Sequence, residues 1–271
     1  MAKFRRNNGF SLVEVLMAVG ILAVGMIFIA SVFPAAIYFT TVATERTNAA
    51  MVADEAFAKV RLYGVDDPCQ PGTAGEVDLD NLSYAGMTDF NDLALANVFP
   101  MVTNFDQWQY SYPSVETNFS DKQYFWSALC RRIASGSDMV QVTVFVSRKI
   151  GNLQYYDPTV GGMIDWVTGP DMGNWPRVAK VEVIVHSDDE LRITEARERK
   201  FANKGCRIVN DRTGQIYRVM DRYEVNGDDI IILDRDYAET QPYQEQVWLV
   251  PPPVSGGRYP CIEIYQRVIR F

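Results

Sequence analysis

Residues 9–14 read Gly-Phe-Ser-Leu-Val-Glu, and the last of them is the most demanding chemical group in the chain. Glu14 is the only charged side chain between Phe10 and Thr44. A carboxylate near the start of so apolar a stretch costs several kcal/mol to keep ionised unless a cation pairs with it. Cleavage between Gly9 and Phe10 would supply that cation. The new α-amino group would lie at nearly the depth of the carboxylate, on the same helix or a neighbouring one. The chemistry implied is peptide cleavage at a small residue, then ion pairing in a medium of low dielectric constant.

Other reactive side chains carry less. His186 is the sole histidine, so any Ser-His-Asp or Cys-His device would have to use it. Its neighbours Asp188, Asp189 and Glu190 read as a solvated turn. Neither that cluster, nor Asp228-Asp229, nor Asp234-Arg235-Asp236 has calcium-loop spacing. There is no phosphate-binding loop, no G-x-G-x-x-G and no H-E-x-x-H. No catalytic residue, metal or cofactor is therefore expected, and an ATPase would be a separate partner. Aromatic residues crowd positions 105–126 (Phe105, Trp108, Tyr110, Tyr112, Phe119, Tyr124, Phe125, Trp126). Such a cluster serves as core, or as a platform for sugars or bases.

The elements that must position Glu14 begin with the apolar span itself. The uncharged run from Val15 to Thr44 is about 45 Å long as a helix, more than the ~30 Å hydrocarbon core of a bilayer. A secretory signal peptide has a shorter apolar region ending at a small-x-small site, and none closes this one. A plain anchor accounts for the length and for the basic leader with Lys3, Arg5 and Arg6, but not for Glu14.

Gly9-Phe10-Ser11-Leu12-Val13-Glu14 closely resembles the processing site of the type IV pilin and pseudopilin superfamily, and the resemblance covers roughly the first 60 residues. It implies cleavage after Gly9 by a prepilin peptidase, N-methylation of Phe10, and a role for Glu14 in subunit register within a helical filament. The implied partners are other pilin or pseudopilin subunits, the peptidase/methyltransferase, an inner-membrane assembly platform with its ATPase, and membrane lipid before assembly. Nucleic acid stays open as a partner. The implied location is the inner membrane with an extracytoplasmic domain, then a periplasmic or extracellular filament. Family members often carry a proline in this span; Pro34 lies further along than usual. Gly20 and Gly25 permit close helix approach.

The 271-residue chain has a formal charge of −8; losing the three leader cations takes it to −11. That acidity argues against a broad phosphate-binding surface. The length beyond the helix fits a minor subunit better than a major one. Cys69, Cys130, Cys206 and Cys261 lie outside the span and form no C-x-x-C. An oxidising compartment allows two disulfides. The preferred pair is Cys206 with Cys261, both in the C-terminal β-rich part, leaving Cys69 with Cys130; four buried free thiols are the alternative.

Ala49, Val52, Ala53, Ala56 and Val60 form one helical stripe, and Gly64 with Pro68 ends it. A single helix over 10–63 follows, its first part (to about residue 44) in membrane or filament core. Short helices are expected around 89–99 and 122–132, and a surface loop over 152–177. The mixed-charge run 195–200 reads as a solvated helical face. Strands are expected at 139–148, 179–186, 207–210, 216–224, 229–233, 246–250 and 261–269, with turns at Thr213-Gly214 and Asn226-Gly227-Asp228. The fold class is α+β, a long helix packed on antiparallel sheet. The expected divisions are a leader 1–9, the helix 10–63, a globular domain 64–204 and a β-rich module 205–271. Two functions suit this layout, a structural filament subunit and a filament-tip module binding a surface, a glycan or DNA.

Overall fold

The computed structural model describes residues 11–65, 79, 82–90, 107–114, 122–151, 155–160, 163–166, 175–225, 227–237, 244–253 and 258–271. The chain divides into two compact units, Met1–Thr47 and Asn48–Phe271. Helix α1 (Leu12–Val65) supplies the first unit and the opening turns of the second. Among the described residues thirteen strands follow. They are β1 (Thr88–Asp89), β2 (Ser111–Tyr112), β3 (Tyr124–Arg132), β4 (Met139–Arg148), β5 (Tyr156–Val160), β6 (Met163–Trp166) and β7 (Ala179–Ser187). After them come β8 (Glu190–Ile193), β9 (Arg207–Asn210), β10 (Ile216–Val225), β11 (Asp228–Leu233), β12 (Gln244–Leu249) and β13 (Cys261–Arg270).

In the second unit the last turns of α1 bury Ala49, Val52, Ala53, Ala56, Phe57 and Val60, the expected stripe with Phe57 added. The small residues of that stripe let the helix lie close to an antiparallel sheet ordered β1-β3-β4-β13, with β2 also pairing β3. Period-two alternation divides the sheet between two neighbours. Trp126, Ala128 and Cys130 of β3 and Val140, Val142, Val144 and Val146 of β4 share a core with the helix. Leu129, Phe145 and Ile264 share another with Val209, Trp248 and Val250.

That second core belongs to a closed antiparallel barrel, ordered β7-β8-β11-β10-β9-β12 and back to β7. Closure removes the exposed edges that an open sheet of this size would present. The interior is filled by Phe201, Tyr217, Tyr237, Leu191, Ile208 and Val247 among others, so the barrel is a packed body rather than a container. A bulge between Val219 and Asp221 helps β10 bend around it.

Several expectations need correcting. The segment expected as a helix at 122–132 is strand β3, buried on both faces. The loop expected over 152–177 contains the β5–β6 hairpin. The helix expected over 89–99 falls mostly outside the described residues; Asp89 belongs to β1. The boundary expected at 204/205 cuts through the barrel. Strands β7 and β8 precede it, β9 to β12 follow it, and β13 returns to pair with β4 along its whole length. The barrel is an insertion between two neighbouring strands of the helix-bearing sheet. Linear reading placed the module's start too late because its first hairpin precedes the turn-rich stretch 195–206.

Candidate functional site

Among the described residues the first unit consists of α1, as far as Thr47, and the residue before it. Every residue from 11 to 41 is exposed within the chain, and the large apolar side chains from Leu12 to Phe39 are each at least 50% exposed. An apolar surface of that extent on every face of a helix marks a segment made to be covered by something else. Five of its hydroxyls are satisfied from within. Ser31 Oγ donates to the Phe28 carbonyl at 2.8 Å, and Thr40, Thr41, Thr44 and Thr47 donate to the carbonyls four residues before them at 2.8–3.1 Å. Inward bonding of this kind lets the segment dispense with water. Pro34 sits inside the helix and removes one backbone donor.

Glu14 occupies the first turn of α1, where the amides of Glu14 and Val15 both reach the Ser11 carbonyl, at 3.0 and 3.2 Å. A carboxylate there faces the positive end of the helix dipole and its unpaired N–H groups. Gly9, Phe10, Lys3, Arg5, Arg6 and Cys69 lie outside the described residues.

The remaining candidates in the second unit are structural. Of the aromatic cluster, Tyr110, Phe125 and Trp126 are buried, and Trp175 stacks on both Tyr110 and Phe125 at 5.5 and 5.6 Å. These rings are core, which removes them as a binding platform. Phe105 and Phe119 are outside the described residues. Lys59 reaches into the same core. Its ammonium donates to the Gln109 carbonyl and pairs with Glu55, both at 2.7 Å, while burial pulls its pKa down. His186 stands exposed at the end of β7, and Asp188-Asp189 form the β7–β8 turn. Among the described residues no three His, Cys, Asp or Glu gather as a metal site. Cys130, Cys206 and Cys261 are free thiols here, so the structure does not contain the expected Cys206–Cys261 bond.

Sequence reading missed the polar seat of the barrel. Asn210 Oδ1 accepts from the Arg212 and Thr213 amides at 2.8 and 2.7 Å, closing the β9–β10 turn. Gly214 adopts φ +72° there, and a Cβ would meet Gln141 Nε2 and Met87 Cε at 2.9 Å. Gln266 of β13 donates to the Gly214 carbonyl at 2.6 Å, and Arg131 of β3 donates to the Arg212 carbonyl. Asp211 accepts from the Met87 amide at 3.1 Å and from the Trp248 indole at 2.5 Å. The Thr213-Gly214 turn was legible; its partners, scattered from residue 87 to 266, were not.

Glu198, in the short 3₁₀ turn Glu198–Lys200, is the one strongly shifted carboxylate described. Burial raises its pKa from 4.5 to about 7; the Glu182 amide opposes the shift, while the Glu195 and Glu182 carboxylates add to it. The folded state therefore binds a proton more tightly than the unfolded chain, and this residue's contribution to stability falls as pH rises from about 4.5 to about 7. The Glu198→Gln variant should match wild type at the low end and melt higher than wild type at the high end. A difference in melting temperature that does not change with pH would contradict this.

Residues 4–30 match the family model described as the prokaryotic N-terminal methylation motif. With the continuous helix from Leu12, the match supports a type IV pilin- or pseudopilin-like N-terminal segment, and that helix is long and apolar enough to cross a membrane. That motif is the mark of structural rather than enzymatic proteins. The match leaves the whole second unit outside it. Comparisons with curated proteins and with solved structures return no match.

Proposed function

We propose that this chain is a non-enzymatic minor pilin or pseudopilin. It is cleaved after Gly9, N-methylated on Phe10, and assembled through its N-terminal helix into a type IV pilus or a type II secretion-like filament. The observation that carries the reading is the coincidence of two features in one segment. The methylation motif at 4–30 runs into a helix whose apolar side chains have no cover within the chain. Lipid would cover them before assembly and neighbouring helices afterwards. A prepilin peptidase/methyltransferase, an inner-membrane platform and a separate ATPase are the partners such a life cycle needs.

Gly9 is the residue that tests processing. A bulky side chain at the scissile junction, as in Gly9→Leu, should leave the leader attached, so that intact-mass measurement finds Met1–Gly9 still present and Phe10 unmethylated. A mature-length, methylated Gly9→Leu protein would contradict the assignment of the junction.

The inserted barrel favours a second reading, a module presented for binding at a filament tip. Being closed and filled, it would have to bind through its loops. Glycan and DNA binding by residues 45–271 would separate this reading from a purely structural one.

A further inference from the structure

We propose that the outer half of β13 is a docking edge, which takes an extended acidic segment of a different filament subunit as an added strand. The identity of that partner rests on the proposed filament role, but the edge is built from residues of the second unit alone. In the sheet β1-β3-β4-β13, β1 and β2 line the far edge of β3. Strand β13 pairs only with β4 among the described residues, so the other side of a ten-residue strand is open.

The phase of the ladder shows which backbone groups face outward. The Phe271 amide donates to the Asp138 carbonyl at 3.1 Å, so the residues in step with it (Ile269, Arg267 and Tyr265) bond to β4. Gln266, Val268 and Arg270 alternate with them and turn their amides and carbonyls to the open side. Gln266 meets its facing residue Thr143 through side chains instead, Nε2 donating to Oγ1 at 3.0 Å. Val268 is 56% exposed, and Gln266 and Arg270 are exposed as well. An open edge with an apolar residue at its centre is a template for strand addition.

Beside this edge lies a groove of about 390 Å³ between α1 and β13. Phe57, Ala58 and Ile269 give it an apolar lining, and Arg61, Arg267 and Arg270 bring three guanidinium groups. Arg267 lies over the Phe57 ring at 4.6 Å and pairs with Asp54, the one carboxylate lining the groove, while Arg270 pairs with Asp138 at 3.5 Å. Arg61 is exposed and has no carboxylate partner among the described residues. The groove thus keeps an unmatched positive charge on a chain whose formal charge is −8. It selects a strand that sets an apolar side chain against Phe57 and a carboxylate against Arg61. A second β13 does not qualify, because self-pairing would bring the arginines of two identical edges together, like charges across one ladder. The occupant is accordingly a different chain, with acidic and apolar residues in alternation.

The test uses the full chain in detergent micelles and a labelled, end-blocked peptide of alternating glutamate and valine, read by fluorescence anisotropy. That peptide should bind, and its lysine-valine counterpart should bind at least about tenfold more weakly. Arg61→Glu, at an exposed helix position, should weaken binding of the glutamate peptide by at least about tenfold. Val268→Pro should do the same with the melting temperature kept, because the lost amide faces outward and an edge strand tolerates proline. In filaments carrying Arg61→Lys, a zero-length carbodiimide should join the new amine to an Asp or Glu of a different subunit, located by peptide mass mapping. Failure of the glutamate peptide to bind, equal binding of the lysine peptide, or indifference to both Arg61→Glu and Val268→Pro would overturn the docking edge. A cross-link confined to copies of this chain would overturn the choice of partner. The chain's absence from filaments would instead overturn the functional reading, and the peptide measurement would still decide the edge.

Discussion

Glu14→Ala should leave cleavage after Gly9 intact and reduce incorporation into filaments by more than about a hundredfold. Two forces act on this carboxylate, and their sizes differ enough to be told apart. Glu14 lies in the first turn of α1, so the helix dipole alone favours its charge. That effect contributes about 0.3–1 kcal/mol, or roughly a two- to fivefold change in an equilibrium. Truncating one member of an ion pair buried in a low-dielectric filament core costs about 3–5 kcal/mol, because the other charge stays behind unpaired. The proposed partner is the α-amino group of Phe10 on the same or a neighbouring subunit. Glu14→Gln should fail as badly as Glu14→Ala, since it keeps the shape and loses the charge. Quantifying subunit in sheared filaments against the membrane pool, with intact mass to confirm maturation, reads both numbers. A loss of only two- to fivefold would leave the dipole as the whole account and remove the pairing role.

What the sequence made legible tracks how locally each feature is encoded. The span and its acid are written in consecutive residues, and the stripe Ala49, Val52, Ala53, Ala56, Val60 is a single periodicity; all five residues are buried as expected. β7 showed itself by alternating buried and half-buried residues, and β4 and β9, although buried on both faces, fall where β-branched residues placed them. β3 failed for the converse reason. Its Tyr-Phe-Trp-Ser-Ala-Leu-Cys run is covered by α1 on one face and by the barrel side on the other, so no alternation survives to distinguish it from a helix. The insertion was illegible because only pairing reveals it. Nothing in residues 261–270 announces that they pair with β4 across more than a hundred intervening positions.

Asp211→Ala should lower the stability of the second unit by about 3–5 kcal/mol, while Asp211→Asn should cost at least about 2 kcal/mol less. Asp211 uses both of its carboxylate oxygens in the barrel's seat. One carboxylate oxygen, Oδ1, accepts both from the Met87 amide and from the Trp248 indole, and both residues are buried, at 4% and 7% exposure. Alanine leaves two buried donors without an acceptor, at about 1–3 kcal/mol each. Asparagine retains a carbonyl oxygen where Oδ1 stood and gives up the 3.4 Å pairing of Oδ2 with Lys180. Lys180 is 38% exposed, so that ion pair is worth no more than about 1 kcal/mol. Gly86 supplies an independent check on the geometry, since a Cβ there would approach Asp211 Oδ2 to 2.8 Å. Gly86→Ala should therefore destabilise the wild type and cost less in the Asp211→Ala background, a coupling that a double-mutant cycle in denaturant measures directly. Equal, small losses from alanine and asparagine would mean that the barrel is seated by its apolar contacts alone, through Met87, Leu129, Phe145, Trp248 and Ile264.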